Sequence, residues 1–274
     1  VYSPADSFPP PVSGLIRHDK GVSMATCSES PAPHPAGKNI PYRSAAAFQG
    51  VCQLDVHVPA GMAGFATLVW FHGGGLTGGQ RYLPGALQGH GFALVPASYR
   101  LSPAATAPAY IEDAAAAVAW VFRHIKEYGG SADRILVGGA SAGAYLALMV
   151  GLDPRWLARC GGEANRIAGL VAVSGQVTTH FTVKQERGLP PEQPLVDDLA
   201  PIYHVRRDAP PILLVTGDRE LELFGRYEET AWFKRMLDLA GHPACELLEL
   251  PGRDHAAVVA AAACHVLRFM AART

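Results

Sequence analysis

Residues 134–150 read RILVGGASAGAYLALMV. Arg134 to Gly138 has the short apolar texture of a buried strand, and Ala142 to Val150 reads as a helix. Between them lies Gly139-Ala140-Ser141-Ala142-Gly143, a G-x-S-x-G sequence. A serine projecting from a sharp strand-to-helix turn crowds its neighbours, so the flanking positions must be small. Here all four are Gly or Ala. The N-terminus of the following helix adds partial positive charge where an oxyanion would develop. Ser141 is therefore the candidate nucleophile.

Outward from this turn, strand and helix patterns alternate. Cys52 to Val58 alternates apolar and polar residues, while Thr67 to Phe71 and Phe92 to Ala97 are short buried-strand runs. Pro108 to Tyr128 has helical periodicity and stops at Gly129-Gly130. Downstream, Ile167 to Val173, Ile212 to Thr216 and Cys245 to Leu250 read as strands. Tyr227 to Ala240 and Ala256 to Met270 read as helices. Such alternation predicts an α/β fold, a mostly parallel sheet with helices on both faces. Residues 1–50, broken by Pro9-Pro10-Pro11 and Pro31-Ala32-Pro33, are expected to form an extended arm, with residues 51–274 as the domain. The long segment 174–211 follows a strand end and is expected to be a lid or binding loop. Its Lys184, Glu186, Arg187, Asp197 and Asp198 predict a polar entrance on the alcohol side of the site.

Three further signals complete a candidate site. His72-Gly73-Gly74-Gly75 follows the apolar run ending at Phe71, and glycines let backbone N–H groups face a ligand without a side chain intervening. His72 itself is expected to pack and steady the loop. Val215-Thr216-Gly217-Asp218 puts a carboxylate just past a strand, which favours Asp218 as the acid over Glu220 and Glu222 on the same loop. His255, in Gly252-Arg253-Asp254-His255 between the last strand and last helix, is the candidate general base, with Asp254 as a cap or surface residue. Arg100 and Asp113 are expected to be a structural pair.

The segment from about His72 to Gly151 resembles the hormone-sensitive-lipase-type bacterial carboxylesterases of the α/β-hydrolase fold. Besides HGGG and GASAG it carries Ser98-Tyr99-Arg100-Leu101-Ser102-Pro103, similar to that family's YRLAPE, and Glu112-Asp113-Ala114 before an apolar helix. Ala140 stands where the family usually has Asp, and the long helical N-terminal cap is missing. Those departures look closer to the compact branch with feruloyl and acetyl-xylan esterases and kynurenine formamidases. Gly75 and Leu76 replace the formamidase pattern's bulky residue and Trp, favouring esterase over formamidase. The resemblance implies a Ser141–His255–Asp218 triad, with the N–H groups of Gly74, Gly75 and Ala142 holding the oxyanion. It further implies hydrolysis of a small-molecule ester through an acyl-enzyme without a cofactor. The acyl group is expected to run from acetyl to butyryl, on a carbohydrate or aryl alcohol.

Composition agrees with a globular chain: 49% hydrophobic and 17% charged residues over 274 positions. The formal net charge of −1 gives no electrostatic reason to expect nucleic acid or an anionic membrane as partner. The richest apolar run, Ala256 to Cys264, is too short to span a bilayer. The five cysteines show no CxxC pair, which leaves room for one bridge, Cys27 to Cys52, but not for a disulfide framework. No HExxH or other metal-ligand spacing occurs, so no metal is expected. A start at Val1 is compatible with a cytoplasmic home and with export after leader removal.

Overall fold

The computed structural model describes residues 34–44, 48 and 50–273. Eight strands form one sheet in the order β1-β2-β4-β3-β5-β6-β7-β8. They are β1 (His34–Pro41), β2 (Gln53–Val58), β3 (Phe65–Phe71), β4 (Ala93–Ala97), β5 (Gly130–Ala140), β6 (Gly169–Val173), β7 (Ile212–Thr216) and β8 (Cys245–Glu249). The β1–β2 and β2–β4 pairings are antiparallel, and the rest are parallel. Among the described residues seven α-helices punctuate them: α1 (Ala109–His124), α2 (Ala142–Leu152), α3 (Pro154–Ala158), α4 (Phe181–Glu186), α5 (Arg226–Leu239), α6 (Val258–Ala261) and α7 (Ala263–Ala271).

The period of two along each strand divides the core into two layers. On one face Val69, Phe71, Ile135, Val137, Ala172 and Leu214 pack with α1, α2 and the α5 residues Phe233 and Leu237. On the other, Leu68, Trp70, Leu136, Val171, Val173 and Leu213 pack with Val258, Val266 and Phe269 of α6 and α7. This is the expected α/β arrangement with helices on both faces. Every residue of α2 is buried, which explains its uniformly apolar composition.

Several features differ from the sequence expectation. His34–Pro41, inside the stretch expected to be an arm, pairs with β2 as the sheet edge. Its Gly and Pro content masks strand character, and long-range pairing supplies what local propensity lacks. The last helix is two helices, α6 and α7. In segment 174–211, residues 174–180 and 182–184 are buried while most of 185–198 is exposed, and several of its charges are held by hydrogen bonds within the protein. Asp197 binds Thr179 and Arg187, the Lys184 ammonium donates to the Gln193 carbonyl at 2.9 Å, and Glu186 accepts from the Ala107 N–H at 2.9 Å. Cys52, Cys160, Cys245 and Cys264 are free thiols, while Cys27 lies outside the described residues. No helix among the described residues is long and apolar enough to cross a membrane.

Strand order reverses between β3 and β5, since β3 continues to β4 on one side while β5 leads to β6 on the other. A crevice opens at such a point outside the carboxyl ends of the strands. Register pairs Phe71 with Gly139, so the two glycine-rich turns leave the sheet side by side. The approach is backbone to backbone: a Cβ at Gly143 would stand 2.0 Å from the Phe71 carbonyl oxygen. At Gly151, further along α2, a Cβ would meet Leu170 side-chain atoms at 2.5 Å, which can move. Gly151→Ala should therefore cost about 1–3 kcal/mol, and Gly143→Ala more than about 4 kcal/mol, compared through urea unfolding midpoints.

Candidate active site

Ser141 sits between β5 and α2 with φ 52° and ψ −119°, a conformation few non-glycine residues adopt. Its N–H donates to the Val173 carbonyl at 2.8 Å, extending the β5–β6 ladder one residue past the strand. That bond and the buried α2 behind it hold the side chain over the crevice. The first N–H groups of α2 have no acceptor within the helix, so positive potential faces the serine.

The glycine loop is built to let backbone approach backbone. Gly74 and Gly75 have φ of +113° and +63°, and a Cβ at Gly74 would meet the Gly78 oxygen at 2.3 Å. His72 steadies the loop, as its composition suggested. Its ring stacks on Tyr99 at 4.4 Å, its Nδ1 bonds the Gly73 carbonyl at 2.7 Å, and the Tyr99 hydroxyl donates to the His72 carbonyl at 2.7 Å. Burial pushes the His72 pKa down, which suits a neutral structural ring. The Thr182 hydroxyl, from the 174–211 segment, donates to the Gly75 carbonyl.

His255 Nε2 lies 3.0 Å from Ser141 Oγ. The carboxylate on its other side is Glu222, whose Oε1 is 2.6 Å from Nδ1 and whose side chain is fully buried. The expectation for Asp218 is therefore corrected. Asp218 is partly exposed and spends its oxygens on the N–H groups of Glu220 and Gly252, at 3.0 and 2.7 Å, closing the turn between the β7 and β8 ends. Glu222 reaches the imidazole because Leu221 and Glu222 turn back over Asp218, their N–H groups donating to its carbonyl at 2.9 and 2.8 Å. Glu220 is exposed.

Burial alone would raise the Glu222 pKa. Hydrogen bonds from His255, the Leu223 N–H and Ser174, with the His255 charge, outweigh it and hold the value at about 2. Ser174, just past β6, enters the sequence reading merely as the first residue of the long segment. Its Oγ lies 2.7 Å from Glu222 Oε2 and 2.8 Å from His255 Nδ1. The signal available in the sequence was a serine directly after an apolar strand.

Other expected placements are met by geometry. Arg100 Nε and Nη2 grip the buried Asp113 carboxylate at 2.7 and 2.9 Å, and exposed Asp254 accepts from the N–H groups of Ala256 and Ala257 in the turn before α6. A cavity of about 380 Å³ opens over Ser141, walled by Gly73, Gly74, Gly75, Tyr82, Phe181, Leu223, Ala256 and Val259. Apart from Tyr82 and the catalytic-type groups, its side chains are apolar, unlike the polar entrance expected from residues 174–211. His180 is buried behind it, between Tyr145 and Phe181. Among the described residues no group of three or more His, Cys, Asp or Glu could hold a metal ion.

An eight-stranded, mostly parallel sheet with a serine on a strand-to-helix turn, a glycine loop beside it and a histidine after the last strand is the α/β-hydrolase fold. Structural comparison agrees. A truncated carbohydrate esterase from gut microbiota superimposes with a TM-score of 0.74 at 17% identity, over 91% of this chain and 99% of that one. A bacterial heroin esterase gives 0.64 at 24% identity, over 80% of this chain and 78% of that one. The chain belongs to the prolyl oligopeptidase family, whose model matches residues 109–272; the BD-FAE family model matches residues 54–160. Among Mycobacterium tuberculosis proteins it is similar to esterase LipC, 26% identical over 93% of this chain and 65% of LipC. It is also similar to the probable carboxylic ester hydrolase LipM, 30% identical over 66% of this chain and 46% of LipM. The chain thus spans less than two thirds of the length of these relatives.

The buried carboxylate gives a stability test. Glu222 titrates from about 2 in the folded chain against 4.5 for an ordinary glutamate, so its contribution is present above about pH 4.5 and lost as pH falls toward 2. Thermal unfolding should show wild type ahead of Glu222→Gln at pH 6, with the gap narrowing steadily to pH 3. A gap independent of pH would mean that Glu222 is not ionised in the fold.

Proposed function

We propose that this chain is a serine esterase that hydrolyses short-chain carboxylic esters through an acyl-enzyme, with Ser141 as nucleophile, His255 as general base and Glu222 as the acid. One observation carries the reading: His255 bridges Ser141 Oγ at 3.0 Å and a buried carboxylate at 2.6 Å through its two ring nitrogens. With Nδ1–H donated to Glu222, Nε2 presents its lone pair to the serine hydroxyl. As Ser141 attacks, the proton passes to Nε2 and Glu222 stabilises the imidazolium without taking the proton. The N–H groups of Gly74, Gly75 and Ala142 hold the oxyanion, His255 returns the proton to the leaving alkoxide, and water releases the acid. The names of LipC and LipM as esterase and carboxylic ester hydrolase support the reaction class.

The cavity lining supports a reading of the two halves of the substrate. The leaving oxygen must lie within reach of His255 Nε2, so residues flanking the histidine face the alcohol. These are Leu223, Ala256 and Val259, all apolar, which favours an aryl or alkyl alcohol over a carbohydrate. Phe181 stands against Gly75, where a Cβ would lie 3.0 Å from the ring, and closes the cavity on the oxyanion-loop side, which favours a small acyl group.

Turnover of p-nitrophenyl esters should peak between acetate and butyrate and fall steeply by octanoate, as each unburied methylene forfeits up to about 0.8 kcal/mol. A maximum at decanoate would overturn the short-chain reading. The family description also names a peptidase, and an amide is the rival acyl donor. Acetanilides matched to the aryl acetates should react far more slowly; the reverse ranking would make this an amidase.

Variants test the roles. Ser141→Ala should abolish fluorophosphonate labelling. Glu222→Gln should lower kcat by roughly 10³ to 10⁴, as loss of a triad acid does, while Asp218→Asn stays within a few-fold. If Asp218→Asn causes the larger loss at equal stability, the acid is misassigned.

A further inference from the structure

We infer that Ser174 is a positioning residue for the reaction, a fourth side chain hydrogen-bonded into the Ser141–His255–Glu222 line; this rests on the serine esterase reading above. The case begins with the Glu222 carboxylate, whose two oxygens meet four donors. Oε1 takes the Leu223 N–H at 2.9 Å and His255 Nδ1 at 2.6 Å, while Oε2 takes the Gly217 N–H at 3.1 Å and Ser174 Oγ at 2.7 Å. Glu222 is ionised and can only accept, so the Ser174 hydroxyl proton must point at Oε2. Its lone pairs then remain for His255 Nδ1, 2.8 Å away. Nδ1 thus faces two acceptors, which fixes the tautomer with hydrogen on Nδ1 and the lone pair on Nε2 facing Ser141. When the ring gains its second proton, the positive Nδ1–H edge is held by two oxygens instead of one.

Placement of this hydroxyl is over-determined. Ser174 is fully buried and has φ +50°, a left-handed conformation with an energetic cost outside glycine. Its N–H donates to the Val215 carbonyl at 2.7 Å, and its carbonyl accepts from Nη1 of the buried Arg226 at 3.1 Å. Behind it Gly175 packs so closely on α2 that a Cβ would lie 2.8 Å from the Ala144 Cβ. The same α2 carries Ser141 at its start, so one helix references both serines. Glycine would satisfy this backbone better than serine does. What glycine lacks is the hydroxyl.

That contrast supplies the test. Ser174→Gly removes Oγ and relieves the backbone, and Ser174→Ala removes Oγ alone. Both should lower kcat for a p-nitrophenyl short-chain ester by about 10- to 100-fold, the scale of one hydrogen bond to a charged group, with KM within about twofold. Inactivation by a fluorophosphonate should slow in parallel, while the urea midpoint of Ser174→Gly stays at or above that of Ser174→Ala. In a Glu222→Gln background, Ser174→Gly should cost little more, because residues acting as a unit are not additive. A merely structural serine predicts otherwise: kcat within twofold in a folded Ser174→Gly, or a full multiplicative loss on top of Glu222→Gln, and either result overturns the proposal. Wild-type protein inert to the fluorophosphonate would overturn the reading of Ser141 as well, and so separates the two failures.

Discussion

The rest of the site depends on one close contact, the N-terminus of α2 against the carboxyl end of β3. A Cβ at Gly139 would lie 2.7 Å from the Phe71 carbonyl oxygen, and one at Gly143 would lie 2.0 Å from the same atom. With hydrogen there instead, the Ser141 turn and the glycine loop are separated by backbone thickness alone. A Cβ at Gly73 would stand 3.2 Å from that of Ser141. Loop, serine and helix dipole consequently converge on one small volume at the point where strand order reverses. The strained backbone of Ser141 is a consequence, held by the sheet bond to Val173 and by a fully buried helix.

Around this fixed point the chain assembles a buried electrostatic line by continuing the sheet one residue past each strand. Ser141 bonds the end of β6, Ser174 bonds the end of β7, and Leu250 bonds Thr216 at the end of β7. Ser141 and Ser174 thus leave the sheet on adjacent strands, while Glu222 and His255 come in from the loops after β7 and β8 to bond beside them. A buried carboxylate is costly unless every lone pair is met. Glu222 meets that condition through its backbone and side-chain donors, and so stays charged where a lone carboxyl would be neutral. Asp218, better hydrated, instead closes the turn that carries His255 toward the site, accepting from Gly252 as its own N–H donates to Arg253.

The cavity lining differs from what the polarity of residues 174–211 suggests. Residues 174–211 look like a hydrophilic lid, yet Arg187 pairs with Asp197, Glu186 accepts from the Ala107 N–H, and the segment presents Ser174 and Phe181 to the cavity. The loop before α5 adds Leu223, and Phe224 beside it is fully exposed. An apolar mouth over the Ser141–His255–Glu222 line follows, because polar atoms of the segment are spent on holding it in place.

Ser141, His255, the glycine loop and most strands were legible in the sequence because each rests on a local rule. Small residues must flank a serine at a sharp turn, glycines must occupy positive φ, and buried parallel strands must be short and apolar. The same rules placed β7 at its observed bounds and α1, α2 and α5 within a few residues. The edge strand β1 escaped, since its Pro and Gly content argues against a strand until β2 pairs with it. The acid escaped for a related reason. Proximity to the strand end selects Asp218, whereas the backbone turn over Asp218 decides that Glu222, four residues later, points inward. Ser174 has no local signature beyond following an apolar strand; its meaning arises when β6, β7 and β8 bring residues 174, 222 and 255 together. Local sterics and periodicity can be read along one chain, but which carboxylate loses its water to face an imidazole is settled by through-space packing alone.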